Sequence, residues 1–132
     1  MTHADVIKNI YENVSRGDFQ PLLDSLAPSV EWNEAENIPY SPGHAFVGPS
    51  AIQELVFARL ADDFAVFEVV VGRIVDGGSV IVVEGRYVGT TNLGAELDAA
   101  FAHVWEFDDT HCVRFQQYSD TWQWRKVLGS DA

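Results

Sequence analysis

The sequence holds a single cysteine, Cys112, so no disulfide can form within the chain. Basic residues are scarce: 8 Lys and Arg stand against 20 Asp and Glu, a formal net charge of −12. A surface of that sign repels phosphate backbones and anionic lipid, which argues against nucleic acid and membranes as partners. No apolar run approaches the roughly 18 residues that a bilayer-spanning helix needs. The stretch from Met1 to Asn9 lacks a basic head followed by an apolar segment, so no signal peptide is expected and the expected location is cytoplasmic. His3, His44, His103 and His111 are scattered, and none has a partner at a metal-ligand spacing. Neither a metal site nor a cofactor is expected. Internal repeats, linkers and low-complexity segments are absent as well.

What is present suits one compact domain spanning residues 1–132. Hydrophobic residues make up 47% of the chain and aromatics 12%, too many for a disordered segment and enough for a core without staples. Val6, Ile7, Ile10 and Val14 recur at helical spacing, with Thr2 and Asp5 as a capping box and Gly17 as the stop. Asp18 is placed to cap a second short helix carrying Leu22, Leu23 and Leu26, which Pro28 ends. Val30 to Trp32 reads as a short strand, and an acidic, proline-bearing loop follows from Asn33 to Gly43. Gly48, Pro49 and Ser50 open a third helix, with Ile52, Leu55, Val56 and Leu60 as its buried stripe.

Beyond Asp63 the chain becomes β-branched and aromatic, as strands are. Phe64 to Val75 and Val80 to Thr91 are expected strands joined by the turn Asp76-Gly77-Gly78. Asn92 to Ala95 turns the chain into Glu96 to Phe107, and Asp108 to Thr110 turns it into Cys112 to Asp120. Helices first and a meander of strands afterwards indicate an α+β fold. The strands exceed the usual length of about five or six residues, so the sheet must twist and coil. Three N-terminal helices cover only part of its concave face, and the rest is expected to be a pocket.

Several segments carry a family resemblance in order along nearly the whole chain. They are Ser15-Arg16-Gly17-Asp18, Pro28-Ser29-Val30-Glu31-Trp32, Phe46-Val47-Gly48-Pro49-Ser50-Ala51-Ile52, Val75-Asp76-Gly77-Gly78, Phe101-Ala102-His103-Val104-Trp105, and Arg114 through Thr121. Together they resemble the nuclear transport factor 2-like superfamily, and within it the SnoaL-like and ketosteroid isomerase-like proteins. The resemblance implies a cone-shaped barrel, a curved antiparallel sheet with helices over its open end. It leaves the reaction open, because this fold hosts isomerases, cyclases, hydrolases, dehydratases and binding proteins.

Two titratable residues are the candidate catalysts. SnoaL-type polyketide cyclases have an acid/base Asp where Asp120 stands, after an aromatic at the end of the last strand. A carboxylate in an apolar cavity has its pKa raised, which suits it to move protons near neutral pH. The alternative is a strand-end Asp that caps a turn in water. Strand parity groups Arg114, Gln116, Tyr118 and Asp120 on one face and Val113, Phe115 and Gln117 on the other. If the polar set faces outward, Asp120 reaches the pocket only through a bulge. His103 shares a face with Phe101, Trp105 and Phe107, as a pocket group or as a satisfied core histidine. The resemblance puts it where ketosteroid isomerases carry a hydrogen-bond-donating Asp. Trp32, Glu34, Tyr40, Phe101, Trp105 and Tyr118 are the expected pocket lining.

The departures are as informative. Where ketosteroid isomerases have a general-base Asp, this chain has Trp32; where they have a donor Tyr, it has Ile10, with Tyr11 one residue away. Epoxide hydrolases of this fold pair an Arg-x-Asp with the last-strand Asp, and Arg86-Tyr87-Val88 lacks that acid. Arg86 with Glu84 on its own face reads as an ordinary ion pair. Trp122 and Trp124 are expected to cover apolar surface.

Two function classes remain. One is a cofactor-independent cyclase, isomerase or dehydratase acting on a small apolar carbonyl compound through Asp120 and His103. The other is a non-catalytic protein that sequesters or senses an apolar metabolite, with a weaker third reading as a dimerisation scaffold. Chemical alteration of the ligand on incubation separates the first two. Apolar residues alternate onto both faces of the strands, so surface remains after the helices are spent, and a homodimer is expected. Light scattering at micromolar concentration checks this, and a monomeric mass contradicts it.

Overall fold

The computed structural model describes residues 2–129. Helix α1, His3–Val14, starts on the capping box: Asp5 N donates to Thr2 Oγ1 and Thr2 N to Asp5 Oδ2, each at 3.1 Å. Ile7 and Ile10 are buried as their spacing requires, and Tyr11 is buried beside them. Gly17, at φ 80°, ends the turn that follows. Helix α2, Gln20–Asp24, is shorter than its leucines suggest. Leu26 belongs instead to strand β1, Leu26–Asn33, which begins four residues before the expected Val30. Pro28 lies inside that strand, where the pairing shifts register between Leu26 and Glu31. A proline costs a strand nothing where the ladder is already interrupted.

Strand β2, Phe46–Val47, leads into a helical run of α3, Pro49–Ile52, a π-helical stretch, Gln53–Phe57, and α4, Ala58–Asp63. A π turn holds more residues than an α turn, so it moves the inward positions along the chain. Val56 and Phe57 are buried beside Ile52, and Leu55, expected in the stripe, is 45% exposed.

Strands β3, Phe64–Asp76, β4, Val80–Thr91, β5, Glu96–Phe107, and β6, Cys112–Ser119, form the expected antiparallel meander. The six-stranded sheet runs β2-β1-β6-β5-β4-β3, and its pairing of β1 with β6 is parallel. The sheet is curved and unclosed, with β2 and β3 as its edges. Its inner face carries Ile81, Val83 and Tyr87 from β4 and Leu97, Ala99, Phe101, His103, Trp105 and Phe107 from β5. Val66, Val70, Val75, Val88 and Tyr118 are exposed on other positions of the sheet. Arg86 pairs with Asp98 at 2.7 Å, and Glu84 pairs with Arg73, so the expected Arg86–Glu84 pair is replaced by two cross-strand pairs.

A fifth helix, α5, Thr121–Leu128, follows the last strand and was not anticipated. It carries Arg125 and Lys126 in its last turn and is followed by Gly129 at φ 87°, both ordinary stop signals. Trp124 is its buried residue, at 1% exposure, against Tyr40, Phe64, Phe67 and Tyr87. No helix among the described residues is long and apolar enough to cross a membrane.

Gly85 sits inward on β4, opposite a register shift in β3 between Val71 and Arg73. A Cβ there would lie 2.1 Å from the Val70 carbonyl oxygen and 2.8 Å from the Phe101 ring. Phe101 thus occupies the space the missing side chain leaves. Gly85→Ala is expected to destabilise the fold by about 1–3 kcal/mol through overpacking, read as a lower denaturant midpoint.

Candidate functional site

Between the inner sheet face and the helices lies a cavity of about 60 Å³. That is room for several water molecules. Helix α1 contributes Tyr11 and Val14, the helical run Val56, Phe57 and Leu60, and α5 Trp124. Most of the remaining wall is aromatic, and its polar side chains are hydrogen-bonded in separate groups around His103, Glu34 and Tyr40.

His103 is the centre of the polar wall. Its Nδ1 lies 2.5 Å from the Tyr11 hydroxyl, and its Nε2 is hydrogen-bonded to the Tyr87 hydroxyl. Trp105 Nε1 donates to the Tyr11 oxygen at 3.0 Å, and Gln117 Nε2 donates to the Tyr87 oxygen at 2.8 Å. Gln117 Oε1 accepts from the backbone N of Ala35 at 3.0 Å, which ties the loop after β1 to β6. Burial pushes the imidazole pKa down to about 3, so His103 is neutral at physiological pH. The same burial raises both tyrosine hydroxyls above their ordinary range. Phe101 stacks on the imidazole at 4.0 Å between ring centroids.

Glu34 supplies the cavity's carboxyl group. It is 8% exposed, and Trp32 Nε1 donates to its Oε2 at 3.0 Å. Burial pushes its pKa up to about 7, against the smaller lowering effects of the Trp32 hydrogen bond and the Arg59 charge. Arg59 itself stands over the Tyr40 ring at 4.5 Å, and the Tyr40 hydroxyl donates to Asp63 Oδ2 at 2.7 Å. Among the described residues no three His, Cys, Asp or Glu side chains cluster where a metal ion could be held.

The expected residues divide cleanly. His103, Trp32, Glu34, Tyr40 and Trp105 line the cavity together, and Phe101 is buried behind the imidazole. Tyr118, at 58% exposure, and Asp120, also exposed, do not line it. Asp120 occupies the N-cap position of α5, and no bulge turns it inward: β6 ends at Ser119 with Gln117 facing in. The expectation that Asp120 and His103 share the pocket is therefore corrected. Trp122 is 64% exposed under Lys126, whereas Trp124 is a wall of the cavity. Tyr11, Tyr87 and Gln117 were not singled out from sequence. Tyr11 falls on the stripe of Ile7 and Val14, and Tyr87 alternates with Ile81 and Val83, so both were readable as inward positions.

Opposite pKa shifts on Glu34 and His103 give the fold a distinctive pH dependence. Glu34 binds its proton more tightly when folded, so its contribution is unchanged below 4.5 and falls as pH rises toward about 7. His103 binds its proton less tightly when folded, so its contribution falls as pH drops from 6.5 toward about 3. Between 4.5 and 6.5 the two slopes oppose each other. Glu34→Gln is expected to remove the falling limb, a gain over wild type of about 3 kcal/mol above pH 7, read from urea unfolding across the pH range.

The sequence model of the SnoaL-like domain matches residues 7–115. No curated protein sequence matches the chain. A nuclear transport factor 2-like protein from Burkholderia thailandensis E264 superposes with a TM-score of 0.90 at 26% identity, covering 97% of this chain and 98% of that one. TerC, solved with polyporic acid, gives a TM-score of 0.82 at 22% identity over 94% of this chain and 95% of its own. IdmH from Streptomyces antibioticus, a proposed polyketide cyclase, gives 0.76 at 19% identity over 96% of this chain and 97% of its own. At such identities the last two establish the shared fold alone. With a six-stranded curved sheet, helices over its inner face and this match along the chain, the protein belongs to the SnoaL-like domain family of the nuclear transport factor 2-like superfamily.

Proposed function

We propose that the protein is a cofactor-independent enzyme of the cyclase or isomerase type that moves a proton on a small, mainly apolar carbonyl compound. One observation carries this reading: a buried carboxyl group of near-neutral pKa, Glu34, belongs to a residue lining the same apolar cavity as Tyr11 and Tyr87. Family membership supports the general class, and TerC, which shares this fold, was solved with an organic acid, polyporic acid.

The chemistry follows from the two kinds of group. Glu34 Oε2 is engaged by Trp32, which leaves Oε1 to accept a proton from the carbon next to the substrate carbonyl. The C–H bond breaks, an O–H bond forms on Glu34, and the electron pair moves onto the carbonyl oxygen. A tyrosine hydroxyl donates to that oxygen as its charge grows. Return of the proton to another atom gives an isomer; attack of the same carbanion on a second carbonyl closes a ring, its π pair moving to oxygen, and the new alkoxide takes the proton back from Glu34. A base works best with a pKa near the operating pH, and Glu34 is held at about 7.

The test follows hydrogen exchange at the carbon beside the carbonyl, for small cyclic ketones and diketones in deuterated water, by NMR. Wild type is expected to accelerate exchange, with the rate rising through pH 7 as Glu34 loses its proton. Glu34→Gln is expected to lose about 10²–10⁴-fold. Asp120→Asn, on the surface, is expected to exchange like wild type. Equal rates in Glu34→Gln and wild type would sink the reading.

A further inference from the structure

The hydrogen atoms of the polar wall do not balance among its members. Ala35 N can only donate, so the atom of Gln117 that meets it is the oxygen, and the Gln117 nitrogen is the one that faces Tyr87. Trp105 Nε1 is likewise a donor and nothing else. Both tyrosine oxygens therefore receive a hydrogen from outside the Tyr–His–Tyr unit. Within that unit a neutral imidazole carries one N–H, and the tyrosines carry one O–H each. Only two contacts, Tyr11 with Nδ1 and Tyr87 with Nε2, are there to hold those three hydrogens. Each contact holds one. One hydroxyl hydrogen is left over, and no hydrogen bond among the described residues takes it up.

We infer that the Trp105–Tyr11–His103–Tyr87–Gln117 chain offers one movable hydroxyl hydrogen to the cavity, on Tyr11 or on Tyr87 according to the tautomer of His103, so that a ligand oxygen bound there is an acceptor. With the hydrogen on Nδ1, the imidazole donates to Tyr11, Tyr87 donates to Nε2, and Tyr11 has the surplus. With the hydrogen on Nε2, the roles reverse and Tyr87 has it. Tyr11 and Tyr87 both line the cavity, so in either state the surplus hydrogen belongs to a lining residue, and a ligand oxygen is the partner it lacks. A hydrogen given up at Tyr11 to ligand or water is balanced by one returned at Tyr87, and the imidazole is neutral before and after. His103 is thus a positioning residue that selects the donor, and it acts through the tyrosines.

The carbonyl class of ligand rests on the proposed function above; the tautomer exchange does not. The experiment is made without ligand, on full-length protein with isotope-labelled histidine, reading the two ring-nitrogen resonances of His103 at neutral pH. Wild type is expected to show both nitrogens averaged between the protonated and unprotonated positions. Tyr11→Phe leaves Nδ1 without a partner, and a buried N–H tolerates that worse than a lone pair does. Its hydrogen should settle on Nε2, and in Tyr87→Phe on Nδ1, so the two variants shift the resonances in opposite directions. A doubly protonated wild-type imidazole, a wild type locked in one tautomer, or the same tautomer in both variants overturns the inference. Loss of exchange catalysis in Glu34→Gln bears on the proposed function and leaves this measurement untouched.

Discussion

A buried neutral imidazole is the constraint from which the site is built. His103 is 6% exposed, and an unpaired ring nitrogen there would cost about 1–3 kcal/mol. Two hydroxyls meet that demand, one from α1 and one from β4, and each is held in turn by an N–H from β5 or β6. The first helix is thereby tied to the sheet by polar contacts as well as by Ile7 and Ile10. The long sequence separations in these bonds mean that the relay exists only once the whole fold has closed.

Gln117 joins the two chemical halves of the cavity. Its oxygen holds the backbone next to Glu34, and its nitrogen holds the Tyr87 hydroxyl. Carboxyl and hydroxyls thus stand in fixed relation although they come from a loop, a helix and a strand. Such preorganisation is what a developing negative charge needs, because the heavy atoms of the donors are already in place. The cost is carried by the aromatic shell: Trp32 stacks on Phe115 at 3.8 Å, and Phe101 on His103 at 4.0 Å.

Much of the fold was legible in sequence because local and global signals agree. The Thr2–Asp5 box, the Asp76-Gly77-Gly78 turn and the period of the long strands each act within a few residues. Pro28 misled because its usual meaning, a helix stop, is overridden by a gap in strand pairing that only the partner strand creates. Leu55 misled because the π stretch changes the period on which the stripe was read. Parity sets His103 on the inner face of β5, and Glu34 lies in the loop after β1. Asp120 was drawn inward by resemblance against its own parity, and parity prevailed. Tyr11 enters the sequence reading only as a near miss for a donor tyrosine and Tyr87 has no site role in it, because an inward tyrosine carries no mark that separates relay from packing; the partner that gives them meaning lies 92 and 16 residues away.

The four tryptophans are unevenly distributed, and this has an optical consequence. Trp32, Trp105 and Trp124 all border the cavity, and Trp122 alone stands in solvent. Three of the four indoles are therefore walls of that cavity, placed to report on whatever occupies it. A light-absorbing guest would darken those walls on arrival, so the enclosure carries its own lamp.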